Sequence, residues 1–186
     1  MARTGLFRRA VEIGALFEAT AVPFDFVATC TFTCSHAHTV DWGDGTAISY
    51  LGGTTNTAVP TGDILINSVE AVTTFRFNSN TYTSINITAS STVTSLYQSF
   101  YFCTKLTSLA IADTSNVTIF FHTFRSCNGL VSFPLIDTSA GTDFASAWRD
   151  CSGLETFPIL DMISADSLYQ SWEGCTGLTT FPVLDT

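Results

Sequence analysis

The sequence predicts an α/β solenoid of 24-residue repeats preceded by a small all-β region. Three observations carry that prediction. Cys103, Cys127, Cys151 and Cys175 stand 24 residues apart, and a fixed period of 20 to 50 residues marks a chain that stacks on itself. Ahead of each cysteine the apolar residues recur at helical spacing, and after it at the spacing of a short strand. In the first half, alternation of apolar and polar residues over 24–34 is followed by a Gly-Asp-Gly turn.

Each element follows from its own pattern. Val93, Leu96, Tyr97, Phe100 and Cys103 sit at i, i+3, i+4, i+7 and i+10, which places them on one face of a short helix. Phe120, Phe124 and Cys127 keep that register, as do Phe144, Trp148 and Cys151, and Leu168, Trp172 and Cys175. After the cysteines the segments CTKLTSLAIADTS, CNGLVSFPLIDTS, CSGLETFPILDMI and CTGLTTFPVLDT share one pattern, C-x-x-L-x-x-[LF]-x-[ILV]-x-D. Its apolar rungs predict a turn and an inward-facing strand: Leu106, Leu109 and Ile111, then Leu130, Phe133 and Leu135, then Leu154, Phe157 and Ile159, then Leu178, Phe181 and Val183. One such unit cannot bury its own apolar face, so stability has to come from stacking. Tyr82, Ile85 and Ile87 fit one turn earlier, with Ser79 at the cysteine position, and Val72, Phe75 and Phe77 repeat the spacing before that. These read as atypical capping turns. The last repeat stops just after a strand, so the apolar end of the stack calls for cover by further repeats or by a partner.

In the N-terminal half, Phe24, Phe26, Ala28, Cys30, Phe32 and Cys34 fall on one face of a half-buried strand. The string TVDWGDGT at residues 39–46 then predicts a hairpin. Leu6, Phe7, Ala10, Val11, Gly14 and Phe17 lie at near-helical spacing in a basic arm that contains Arg3, Arg8 and Arg9. That arm is read either as frayed or as an anchor made by Arg3, Leu6, Phe7, Arg8 and Arg9.

The C-x-x-L-x-x-L and D-T-S elements of the repeat resemble the BspA-like surface-protein repeat, a leucine-rich-repeat relative of bacterial surface proteins and phage structural proteins. The resemblance covers about residues 79–186. It departs from the commoner form in Pro134, Pro158 and Pro182, which need positions where no strand requires an N–H. V-D-W-G-D-G-T resembles the signature of polycystic-kidney-disease-type (PKD-like) β-sandwich domains, a signature that often precedes BspA-like repeats. About 45 residues is short for a whole sandwich, so a reduced sheet capping the solenoid is expected. The domains read as an arm or anchor over 1–20, a PKD-like β region over 21–70 and a leucine-rich-repeat-like solenoid over 71–186.

Composition narrows the chemistry. Past residue 9 the chain carries four basic against sixteen acidic residues, net -12, and such a body repels phosphate backbones. No nucleic acid is expected as a partner. No run approaches the roughly 18 apolar residues of a membrane span, so no membrane insertion is expected, and Glu12 and Glu18 break up any signal-peptide core. The cysteine ladder reads as buried thiols, since equivalent positions in a stack lie one turn apart. A serine at Cys127 would then leave a buried hydroxyl unpaired, at a cost of about 1 to 3 kcal/mol. Asp113, Asp137, Asp161 and Asp185 read as a second ladder that caps backbone N–H groups in the turn after each strand. Cys30, Cys34, His36 and His38 have metal-compatible side chains, yet along one extended strand Cys30 and His38 would be about 26 Å apart. By resemblance to phage fibre tips, His36 and His38 could meet a transition metal on a symmetry axis; the competing reading is a polar strand end. Asp41 and Asp44 make a poor calcium cage and read as turn caps. His122 is the only histidine in the repeats, and its equivalents are Ser146 and Gln170, so no catalytic set recurs. No cofactor is expected.

Taken with the resemblance, these features imply a phage virion structural protein, a tail-fibre, head-fibre or adhesin subunit, that presents its repeats for host recognition or attachment. Its implied partners are other virion or surface-assembly subunits, further copies of itself in a homo-oligomer, and a host-surface glycan or protein. A bacterial cell-surface adhesin fragment and a carbohydrate-active enzyme using the repeats as a scaffold are the alternatives.

Overall fold

The computed structural model describes residues 16–21, 30–41, 46–53, 55–58, 64–68, 73–77, 82–87 and 92–184. Nine strands occur among them: β1 (Leu16–Ala21), β2 (Cys30–Cys34), β3 (His38–Asp41), β4 (Ala47–Tyr50), β5 (Thr55–Ala58), β6 (Ile64–Ser68), β7 (Phe75–Phe77), β8 (Tyr82–Ile87) and β9 (Ser108–Ile111). They form a six-stranded sheet in the order β4-β3-β6-β1-β8-β9 and a three-stranded sheet in the order β5-β2-β7. All pairs are antiparallel except β8 with β9, whose register matches Ile85 to Leu109. β3 and β4 pair from His38↔Tyr50 to Asp41↔Ala47. This pairing brackets the Gly-Asp-Gly segment, which with Asp44 lies outside the described residues.

The sheets are where the chain changes character. β8 and β9 are 24 residues apart, so their parallel pairing is the repeat spacing already at work. On the other side, a parallel bridge links Thr74 to Ser95, and the series goes on through Ile119, Asp143 and Ser167. Four layers can thus be numbered, over residues 93–112, 117–136, 141–160 and 165–184. In their middle section every second amide donates to the layer that follows it. Phe100 N reaches Thr123 O at 2.9 Å, Phe124 N reaches Ala147 O at 2.8 Å and Trp148 N reaches Ser171 O at 2.9 Å. The intervening amides close turns within their own layer, as Cys127 N does on Phe124 O at 3.1 Å.

The interior is built of columns. Phe77, Phe100, Phe124, Trp148 and Trp172 stack ring upon ring, with centroids 5.9, 5.2, 6.1 and 5.2 Å apart. Phe133, Phe157 and Phe181 form a second column at 5.5 and 5.9 Å. The two columns meet edge to face, Phe133 on Trp148 at 5.3 Å and Phe157 on Trp172 at 5.5 Å, the geometry that the aromatic quadrupole favours. The layers approach so closely that a side chain on Gly153 would lie 2.1 Å from the carbonyl oxygen of Asn128, which explains C-x-G-L in layers two to four.

Several expectations need correction. No α-helix occurs among the described residues: the stretches before the cysteines are successive turns. Gln98, Phe102, His122, Ser126, Ser146, Asp150 and Gln170 there have φ between 53 and 62°. A left-handed residue costs roughly 1 to 2 kcal/mol, and here it frees alternate amides to bond the next layer. Tyr97, expected on the buried face, is 48% exposed. The strand expected in every repeat persists only as β9. Layers two and three keep the single bridge Ser132↔Thr156, because proline stands at 134, 158 and 182 where layer one has Ala110, and proline has no N–H for a ladder. Past each proline the side chains change sides. Leu135, Ile159 and Val183, expected to point inward, are 76, 65 and 89% exposed, and Ile136 and Leu160 are buried instead.

Strand pairings cross the boundaries read from the sequence. Residues 16–20, assigned to the arm, belong to β1, which pairs with β6 on one side and β8 on the other. The boundary at 70/71 is crossed by two such pairings, β1 with β8 and β2 with β7. Arg3, Leu6, Phe7, Arg8 and Arg9 lie outside the described residues.

Candidate binding surface

The turns before the cysteines form one outer wall of the stack, and their outward positions recur by layer. Tyr97 and Phe121 stack in parallel at 5.5 Å. Beside them Tyr101 and His122 lie 6.1 Å apart, with ring planes nearly parallel at 14°. Guanidinium groups cover two of these rings: Arg76 sits 5.8 Å from the centre of Tyr97, and Arg125 sits 5.9 Å from that of Tyr101. Such cation–π contacts hold a ring and a charge together.

Towards the later layers the wall turns from aromatic to ionic. Asp150 forms ion pairs with Arg125 at 3.5 Å and with Arg149 at 3.6 Å, and Arg149 also reaches Glu173 at 3.2 Å and the Gln170 amide oxygen at 2.7 Å. His122 lies between the two halves. Burial, then the charges of Arg125 and Arg149, pull its pKa below the usual histidine value and favour the neutral ring.

The two ladders form continuous series. Cys103, Cys127 and Cys151 are fully buried and Cys175 half-buried. Each thiol donates to a carbonyl of the preceding layer: Cys127 to Phe100 at 3.1 Å, Cys151 to Phe124 at 3.0 Å and Cys175 to Trp148 at 3.0 Å. Burial pushes the Cys127 thiol well up. Asp113 Oδ1 accepts from Ser115 N at 2.9 Å and its hydroxyl at 2.7 Å, and Asp137 does the same with Ser139. Both carboxyls are held below the usual aspartate range by those bonds. Asp161 accepts from Ile163 N at 3.0 Å. Asp185 lies outside the described residues.

The His36 and His38 rings have separate partners. His38 is buried in β3, stacks on Tyr50 at 5.8 Å and places Nδ1 2.8 Å from the carbonyl oxygen of His36, while the His36 ring lies 2.8 Å from the Ser35 hydroxyl. Among the described residues no three metal-capable side chains cluster; the side chains of Cys30 and Cys34 lie outside them.

Sequence reasoning missed this wall because it places Tyr97 on the buried face and gives Tyr101 and Phe121 no role. The signal was there: position 97 and its equivalents hold Tyr, Phe, Ala and Tyr, one place after the true core column Leu96, Phe120, Phe144 and Leu168. No family model matches the chain, and neither the curated proteins nor the solved structures contain a match to it. Among the described residues no helix is long and apolar enough to cross a membrane.

Proposed function

We propose that this chain is a non-enzymatic binding protein of an extracellular assembly: a leucine-rich-repeat-like solenoid, carried as a phage virion subunit, that attaches to a host surface through the outer wall of its turns. The observation that carries this reading is the wall itself. Exposed Tyr97, the ring of Phe121 stacked on it, and two arginines held over rings are the residue types that dominate binding energy at interfaces. They stand on a backbone pinned by hydrogen bonds between layers, so little ordering entropy is lost on binding. His122, the histidine of the wall, stacks on Tyr101 and Phe121 and lies within the fields of Arg125, Arg149 and Asp143.

The test is attachment of the fluorescently labelled full chain to bacterial cells, compared with a Tyr97→Ala/Tyr101→Ala double variant. Loss of attachment at an unchanged melting temperature supports the reading, and undiminished attachment moves the binding surface elsewhere. Release of reducing sugar ends from cell-surface polysaccharide by the purified chain would replace the reading with the enzyme alternative.

A further inference from the structure

One charge on the wall is unlike the others. Arg125 and Arg149 both pair with Asp150, but Arg76 makes no ion pair among the described residues, in a chain whose formal net charge is -9. Its guanidinium donates to the Gln98 side-chain oxygen and lies against the Tyr97 ring. Beside it opens a cavity of about 360 Å³ where the three-stranded sheet meets the first layer. Ser35, Thr55 and Thr74 line it together with Arg76 and Tyr97. The alternation of β7 explains the placement: Phe75 and Phe77 are buried and Arg76 between them faces the other side.

From this geometry we infer that the groove binds a carboxylate-bearing sugar, such as a hexuronic acid unit of an acidic surface polysaccharide. Only one of the five guanidinium N–H donors is committed to Gln98. The planar fork that remains matches a carboxylate, which Arg recognises through two parallel hydrogen bonds. Tyr97, whose faces carry Arg76 and Phe121, offers its half-exposed edge and hydroxyl to the sugar, and threonine hydroxyls offer both donors and acceptors to sugar hydroxyls. The volume lies within the range of small-ligand pockets, about 300 to 1,000 Å³. Gln98 holds the guanidinium in place without neutralising it.

This inference rests on the attachment reading and names its ligand class. It is tested by calorimetric titration of the full chain with methyl glucuronide, methyl glucoside and inorganic phosphate. The glucuronide should bind and the glucoside should not. Arg76→Gln should weaken glucuronide binding by about ten- to hundredfold, the span of a lost charge-assisted hydrogen bond, and Arg76→Lys should fail to restore it. If Arg76→Gln proves unfolded, Tyr97→Leu, at a half-exposed ring, must also weaken binding at an unchanged melting temperature. Equal affinity for the neutral sugar, equal affinity for phosphate, or full binding by the folded variants overturns the proposal. The two readings fail separately. Attachment to cells without glucuronide binding refutes the groove alone, and glucuronide binding without attachment refutes the wall.

Discussion

The thiol of Cys127 donates to the carbonyl oxygen of Phe100 in the preceding layer at 3.1 Å, and that same oxygen closes a turn with the amide of Cys103, also at 3.1 Å. A residue that the sequence presents as a small apolar filler therefore acts as a polar cross-link between layers. Hydroxyls do the same one column away, where Thr123 donates to Leu96 at 2.8 Å and Ser171 to Phe144 at 2.7 Å.

It follows that a hydroxyl at the cysteine position finds a partner, contrary to the cost expected of an unpaired one. Cys127→Ser should lose under about 1 kcal/mol, and Cys127→Ala, which removes the donor and leaves a void, about 1 to 2 kcal/mol. Urea denaturation of the two variants checks the order; serine as damaging as alanine would mean that the thiol acts only by packing.

Reactivity should grade along the ladder. Burial raises the Cys127 thiol, and the neighbouring Cys175 thiol together with burial raises that of Cys151. Cys175 is the half-buried member. Among these four, native-state alkylation followed by peptide mass mapping should mark Cys175 first and leave Cys103, Cys127 and Cys151 unlabelled until denaturant is added. Simultaneous labelling of Cys127 and Cys175 would contradict the packing of layers two and three.

Trp148 lies in the interior with its ring against those of Phe124, Phe133, Phe144, Phe157 and Trp172. Trp148→Ala should cost about 3 to 5 kcal/mol. Trp148→Phe should cost far less, for two reasons. Phenylalanine already fills the equivalent place in layer two, and the substitution removes an indole N–H that is buried without a hydrogen-bond partner. Similar denaturation midpoints for the two variants would show that the ring columns contribute little.

Stability should fall with acid in two stages. His122 has a folded pKa below the usual 6.5, so the unfolded chain binds its proton first; the contribution is complete above about pH 6.5 and erodes as pH falls below it. Asp113 and Asp137 have folded values below 3.8, so their contribution holds above that value and is lost as pH falls through the folded ones. Melting temperatures from pH 8 to 3 should show both stages. His122→Gln, which copies Gln170 of layer four, should remove the upper one and keep the lower.

Some of this architecture was legible in the residues and some was not, for local reasons. The 24-residue period names the neighbours correctly: Ile85 beside Leu109, and Ser132 beside Thr156. The spacing of Leu96, Phe100 and Cys103 was ambiguous, because turns that alternate with left-handed residues return side chains to one face much as a helix does. Only the φ of Gln98 and Phe102 separates the two, and neither residue advertises a positive value. The exposure of Leu135 could not be read from hydropathy, since it depends on where the chain bends after Pro134. The groove at Arg76 was invisible for a different reason. It joins residues 35, 55, 76 and 97, which no short motif spans.

The hydrogen bonds between layers give the stack a sense of direction. On the wall of turns every bridging amide points to the following layer, and at the threonine edge Thr118 and Thr142 point back to Thr94 and Thr118, at 2.9 and 2.8 Å. Each repeat is thus an interchangeable link with unlike ends, and duplication or loss of 24 residues leaves every bond with a legitimate partner. Length can then change in steps of one strand spacing, roughly 4.8 Å, with the chemistry at the Arg76 end untouched. A gene encoding such a chain can lengthen or shorten the stack without redesigning the sheets at its start.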